Sequence, residues 1–457
     1  MTCGSLPFRY LGVPMNSRKL SLSTCEPLLH QIKGRFSSWS SKSLSFAGRL
    51  TLINTVIAGI TTFWCSSFVL PKACITKINS MCSNFLWRGN LEDHNTARVA
   101  WSTVVKTKHQ GGLGVKDLQT WNKACCLRLI WLLFFKPDSV WVSWFKEVIL
   151  KGSVTNFWTT NPSPKYSWLA NKLLKLRSMA YPLIHLRIQN GECGRFWIDN
   201  WSPFWRLQDF LEGGRSRQGI PQQATLASLY CNGSWSLPPA RSDRHLQVLS
   251  YITTIQFTEE HDFYEWEING KVKGKFSTGG VYHYLRGNID EVGCAKSVWP
   301  QRHIPKHSFH TWLVVLNRIP TRDKLISWGI QISPICLLCN NCDETRDHLF
   351  WDCNFAFGHW TMIANRCRIG PLRGWEASLN QMISLPPPSP SRALTLIAWQ
   401  ATLYWIWNER NQRLHANQFR SVDSLFSIID HQIRNKVQSF RETNPRTSST
   451  MMQMWIR

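Results

Sequence analysis

The sequence predicts an α+β protein that is mainly α-helical, with a helical N-terminal region, central β-hairpins, a small cysteine-rich knuckle and long C-terminal helices. Three observations carry this reading. Apolar residues recur at spacings of three and four in several long stretches, the period of helices with one buried stripe. Two Asn-Gly pairs stand between short alternating runs, a hairpin pattern. A Cys/His cluster with metal-ligand spacing occupies residues 336–353.

Composition bounds the function. The 457 residues supply enough chain for about three compact units. At 43% hydrophobic and 18% charged the chain is too apolar for a disordered polypeptide. Lys and Arg total 53 against 28 Asp and Glu, a formal charge of +25 that points to a polyanionic partner, nucleic acid first. The cysteine count of 15 is odd and the N-terminus lacks the apolar core of a secretory signal, so a reducing compartment, nuclear or cytoplasmic, is expected. The longest apolar stretch, residues 129–135, is far short of the roughly 18 residues of a membrane span. Neither secretion nor a membrane partner is expected.

Residues 1–150 read as a basic helical region. Phe46, Leu50, Ile53, Ile57 and Ile60 step by four and three, with Ser45 placed to cap the helix. A second helix starts at Pro71 and continues through Ile75, Ile78, Cys82 and Phe85 to Gly89. Trp121 to Phe135 is apolar on nearly every side and predicts a more buried third helix. Residues 151–243 read as a hairpin-containing connector: Asn190 and Gly191 predict one hairpin, and the Pro- and Gly-rich stretch 202–243 a loose connection. Residues 244–365 follow as a further domain, with a second hairpin at Asn269 and Gly270 and short helices beginning at Ser277, Lys306 and Thr321. Pro-rich residues 366–391 read as a linker and 392–442 as C-terminal helices. The last of these places Phe426, Ile429, Ile433, Val437 and Phe440 on one narrow seam, packing against the helix before it. Residues 443–457 are expected to fray.

The chemistry lies in CLLCNNCDETRDHLFWDC. Cys336, Cys339, His348 and Cys353 present two thiolates on a tight knuckle, then an imidazole and a thiolate about a helical turn apart, a set that closes a tetrahedron round one structural Zn2+. Three thiolates and a neutral imidazole leave no open position for a water or substrate. A redox CxxC would need a strand-to-helix context missing here. Cys342 forms an overlapping pair with Cys339 and is left outside the ligand set. The loop is acidic, with Asp343, Glu344, Asp347 and Asp352 against Arg346, so phosphate contacts are assigned to the preceding basic residues Lys306, Arg318, Arg322 and Lys324. Most of the 25 tryptophans are assigned to core. Gly111 to Gly114 reads as a turn, because the Lys and Ser/Thr of a phosphate loop do not follow. No nucleophile elbow and no HExxH helix are present, so no enzyme is expected.

Several ordered blocks resemble the C-terminal part of plant-type non-LTR (LINE-like) retrotransposon reverse transcriptases: GSLPFRYLGVPM, SWSSKSLSFAGRLTLINTVI, FVLPKACITKINSMCSNFLWRG, GGLGVKDLQTWNKA, NGECGRFWIDNW, the segment from Phe276 to Cys353, and IWNERNQRLH. The resemblance implies that residues 1–150 are thumb-like, holding a primer-template duplex, with Lys33, Arg35, Lys42 and Arg49 on phosphates. It implies a zinc-binding reverse transcriptase domain whose ligand pattern falls on the same four residues, Cys336, Cys339, His348 and Cys353.

The family's Tyr-Ala-Asp-Asp motif is absent and no two Asp residues are adjacent, so the paired carboxylates of two-metal nucleotidyl transfer are missing. The chain is therefore read as the product of a truncated element: a non-catalytic, zinc-stabilised remnant that binds RNA or an RNA/DNA duplex through phosphates. The alternatives are a relict open reading frame with no selected activity, or a thumb and zinc module acting in trans with a separate palm.

Overall fold

The computed structural model describes residues 8–10, 13–15, 19–38, 44–91, 97–211, 219–287 and 290–456. It is mainly helical, with small antiparallel sheets. The N-terminal helices follow the sequence. Ser45 has extended backbone and its hydroxyl accepts the Gly48 N–H at 3.3 Å, starting the helix Phe46–Leu52. A wider π turn, Ile53–Ile57, leads into Ala58–Ser67, and Leu50, Ile53 and Ile57 of the predicted stripe are buried. Helix Lys72–Arg88 buries Ile75, Ile78, Cys82 and Phe85, and helix Leu118–Phe135 is buried on most sides.

One compact unit comprises Met1–Gln31, Gly59–Ile78 and Asp117–Asn288. Asn122, buried in Leu118–Phe135, donates to the carbonyls of Cys65 and Phe68 and accepts the Leu70 N–H, closing the connection that follows Ala58–Ser67. The unit's sheet pairs Ile184–Arg187 with Phe263–Ile268, and the latter with Lys271–Val272. This last pair is the expected hairpin, with Asn269 and Gly270 both at positive φ.

The first Asn-Gly pair does not form a hairpin. Its preceding strand pairs instead with Phe263–Ile268, because the chain beyond is gathered round one carboxylate: Asp262 accepts the N–H groups of Gln189 and Gly191 on Oδ1, at 2.6 and 3.0 Å, and of Cys193 and Gly194 on Oδ2, at 3.0 and 3.2 Å. Gly191 sits at φ 73°, where a Cβ would lie 2.7 Å from the Phe257 ring. Beyond it Arg195 and Asp199 form a buried ion pair at 3.1 Å beneath Phe196, Trp197 and Trp201. The stretch expected to be loose, 202–243, carries the short helix Leu207–Phe210 and the strand pair Tyr230–Cys231 and Ser234–Trp235, with Leu207 and Leu226 fully buried.

A second unit comprises Ile32–Ala58, Asn79–Lys116 and Ile289–Arg457. Helices Asn354–Arg366, Pro390–Ala416, Val422–Gln438 and Pro445–Ile456 pack together over Trp360, Trp399 and Trp455. The expected seam is internal: Ile429, Ile433 and Val437 are buried within this bundle, joined by Leu425 in place of Phe426. The Pro-rich stretch 366–391 is not simply extended, since Trp375–Ser384 is helical and Trp375 is buried against Trp399, ring centroids 6.3 Å apart. Nor does the C-terminal end fray: Pro445–Ile456 is a helix whose Trp455 donates to Asp430 at 2.8 Å. In the Gly111 to Gly114 turn, the Gly111 carbonyl accepts the Trp312 indole N–H at 2.8 Å.

The described cysteines are free thiols. One helical run, Phe46–Ser67, with 22 residues and a mean hydropathy of 1.3, is long and apolar enough to cross a membrane, which the apolar stretches of the sequence did not indicate. Length and composition are its sole qualification, and about a third of its apolar window is buried, including Leu50, Ile53, Ile57, Trp64 and Cys65.

Removing the Asp262 carboxylate strands four N–H groups of a half-buried loop. Asp262→Ala is expected to lower unfolding free energy by about 2–3 kcal/mol, read from denaturant midpoints. A loss below about 0.5 kcal/mol would mean that the loop holds itself.

Candidate metal centre

The knuckle is built by backbone first. Ile335 bridges Asp343, the Cys336 N–H donates to the Cys342 carbonyl at 2.7 Å, and Asn340 turns the chain at φ 54°, its N–H on the Cys336 carbonyl at 2.9 Å. The Leu338 N–H points at Cys336 Sγ, 3.4 Å away, a donor that stabilises a thiolate. On the other side, His348–Asp352 forms a π turn, and the Cys353 N–H returns to the His348 carbonyl at 2.7 Å. That wider turn matters. In an α-helix a residue five positions on points about 140° away, whereas a π turn brings positions five apart to one side.

The Sγ atoms of Cys336, Cys339 and Cys353 and a ring nitrogen of His348 lie within 4.8 Å of one another. A tetrahedral zinc with Zn–S bonds of about 2.3 Å needs sulfurs about 3.8 Å apart, so small side-chain adjustments close the shell. The donors fit Zn2+ in chemistry as well: three soft thiolates and one imidazole, with Cys336 and Cys353 fully buried. The hydrogen bond between Cys353 and Cys336 holds the Cys353 thiol below its usual pKa and raises that of Cys336, and a cation bound by both would displace their protons. Cys342 is exposed and outside the cluster. The protein thus carries one zinc site, made by Cys336, Cys339, His348 and Cys353.

What fixes the knuckle in place was hidden in the sequence. Glu344, one of the acids of that acidic loop, is fully buried, and its carboxylate takes Arg410 in a forked contact of 2.8 to 3.2 Å plus the Arg322 N–H at 3.1 Å. One turn on, Arg413 donates to the carbonyls of Leu337 and Leu338 and pairs with buried Glu409 at 2.9 Å. The signal was legible only as oddity: NERNQR places charges on a helix whose preceding turns are apolar.

The cationic candidates separate. Lys33 and Arg35 are exposed on Glu26–Ser38, and Lys42 lies outside the described residues. The Arg322 guanidinium is turned inward to the Ile335 carbonyl. Arg49, which donates to the Leu86 carbonyl at 3.4 Å, and Lys306 line one cavity. Arg318 and Lys324 line a second depression with Arg88 and Arg98, which the sequence reading did not single out.

A mainly helical chain holding a closed Cys3His zinc site is the class that fold and site define. Residues 276–360 match the family model described as zinc-binding in reverse transcriptase, which contains all four ligands. Over 371 residues the chain is also 24% identical to an Arabidopsis thaliana protein provisionally named as a ribonuclease H protein, covering 78% of this chain and 58% of the relative. The chain therefore spans little more than half of that protein's length.

Cys336→Ser and His348→Ala are expected to abolish stoichiometric zinc, while Cys342→Ser retains it, measured by metal content after gel filtration. Glu344→Ala leaves Arg410 charged and buried, and should cost about 3–5 kcal/mol in unfolding free energy.

A pH dependence follows from His359, fully buried on helix Asn354–Arg366, whose pKa burial pushes down to about 4. Between about pH 6.5 and about pH 4 the unfolded imidazole binds a proton that the folded one refuses, so acid costs stability. By about pH 5 the wild type should lose about 2 kcal/mol more than His359→Gln, relative to neutral pH. Parallel losses in the two proteins would contradict this.

Proposed function

We infer that the chain is a non-catalytic nucleic-acid-binding protein whose zinc knuckle stabilises a basic, aromatic surface that tracks phosphates. The observation that carries this reading is a depression of about 700 Å³ where Arg88, Arg98, Arg318 and Lys324 converge beside Trp87 and Trp328, with no carboxylate among the described residues that line it. Arg318 is exposed, as is Trp328 at 63%, an unusual placement for a tryptophan in a core-rich protein. Cations with an open indole suit a polyanion whose bases offer π faces. The relative's ribonuclease H name suggests a catalytic alternative, but hydrolysis by two metal ions needs clustered carboxylates. Among the described residues the group with metal-binding geometry is the Cys3His set.

Equilibrium binding of the zinc-loaded chain to structured RNA, RNA/DNA hybrid and duplex DNA across a salt series tests this. Log affinity should fall linearly with log salt, and Arg98→Ser or Arg318→Ser should each reduce the slope by about one. A flat response in folded protein would overturn the reading, and primer extension or RNA cleavage above a buffer blank would overturn its non-catalytic part.

A further inference from the structure

Two of the cationic candidates, Arg49 and Lys306, meet at a cavity of about 360 Å³, within the size range of small-ligand sites, roughly 300–1,000 Å³. Its walls are aromatic. Phe46 stacks on Phe309 with centroids 5.3 Å apart and planes 13° apart, and Tyr404 and Trp407 face in from one side of Pro390–Ala416, three residues apart. Its charges are of one sign: the Arg49 and Arg98 guanidinium carbons lie 5.5 and 5.1 Å from the Phe46 centroid, and Lys306 Nζ lies 4.9 Å from that of Tyr404. Among the described residues no carboxylate lines it.

Its polar groups are donors with capacity to spare. Asn408 and Asn411 use their side-chain carbonyls to accept Arg420 and Arg410, and among the described residues no partner takes their amide N–H groups. His310 lines the cavity, is 8% exposed, and has neither ring nitrogen hydrogen-bonded among the described residues. A buried imidazole with both nitrogens unmet is a standing cost, and in its neutral form it offers one donor and one acceptor. Burial holds it neutral at any physiological pH, its pKa pushed down to about 3. The complement of this cavity is flat and π-faced, anionic at one end, and carries both an acceptor and a donor on its edge.

We propose that the cavity receives one unstacked nucleotide, its base against Tyr404, Trp407 and Phe46, its edge toward His310, Asn408 and Asn411, and its phosphate at Arg49, Arg98 and Lys306. This rests on the nucleic-acid reading and adds to it a place where the protein senses an unpaired base. The same chemistry would be met by a free nucleoside monophosphate, so the test has an arm for each source.

The full-length zinc-loaded chain is titrated with a labelled RNA hairpin carrying a one-nucleotide bulge, with the same hairpin whose bulge is abasic, and with AMP alone. The bulged hairpin should bind about tenfold more tightly than the abasic one, the scale of one base stacked on aromatic side chains. Trp407→Leu should erase that difference while leaving the salt slope unchanged. Ala47→Phe, a cavity-filling change at a half-buried position on Phe46–Leu52, should do the same should Trp407→Leu fail to retain zinc and a cooperative melt. Equal affinity for bulged and abasic hairpins, with a steep salt slope intact, would overturn the pocket and leave the phosphate-binding surface standing. Loss of all binding would overturn both. Tight AMP binding without discrimination between the hairpins would overturn the polynucleotide source and assign the cavity to a free nucleotide.

Discussion

The zinc-bearing unit depends on a charge pair withdrawn from water. Glu344 lies in the metal loop and Arg410 sixty-six residues later, and both are essentially inaccessible. Such a pair gains little net energy over two apolar groups of similar shape, but leaving either partner alone is severely unfavourable, so it penalises every arrangement in which loop and helix part. The zinc closes the loop on itself, and the ion pair determines where that closed loop sits. Arg413, holding the carbonyls of Leu337 and Leu338, adds a second hold one helical turn away.

Elements that rest on periodicity were legible in the sequence. The buried stripes of Lys72–Arg88 and of Val422–Gln438, the Ser45 cap and the Asn269-Gly270 hairpin each follow from local spacing and local backbone preference. The ligand quartet was legible too, because donor type and spacing belong to one short segment. The failures share a cause: each depends on a partner far along the chain. Asn190-Gly191 has a hairpin's local chemistry, but Asp262, more than seventy residues away, offers those amides a better acceptor than a returning strand. Glu344 reads as one more acid of an acidic loop until Arg410 arrives. Trp375 and Trp455 turn an apparent linker and an apparent tail into packed helices, since two large indoles outweigh the neighbouring prolines and polar residues.

Net charge was a poor guide to location. The excess of Lys and Arg is greatest near the N-terminus, yet the cations that converge come from separated segments: Arg49, Arg88 and Arg98 within that region, and Lys306, Arg318 and Lys324 about two hundred residues later. Folding also spends some basic residues internally. Arg195, Arg410 and Arg413 balance buried carboxylates, and Arg322 serves a backbone carbonyl, so the formal +25 overstates what a partner meets.

One helix, Pro390–Ala416, carries both sets of inward-facing groups. Tyr404, Trp407, Asn408 and Asn411 line the cavity, while Arg410 and Arg413 grip the metal loop, interleaved on successive turns of a single rigid rod. A helix cannot shift at one of these positions and stay still at the other. One helix therefore joins the metal loop to the cavity wall, so a substitution that displaces Arg410 or Arg413 from the loop also disturbs the turns that carry Tyr404, Trp407, Asn408 and Asn411. Zinc in this protein is structural in its chemistry, and the loop it closes is anchored to the same rod that forms one wall of the cavity.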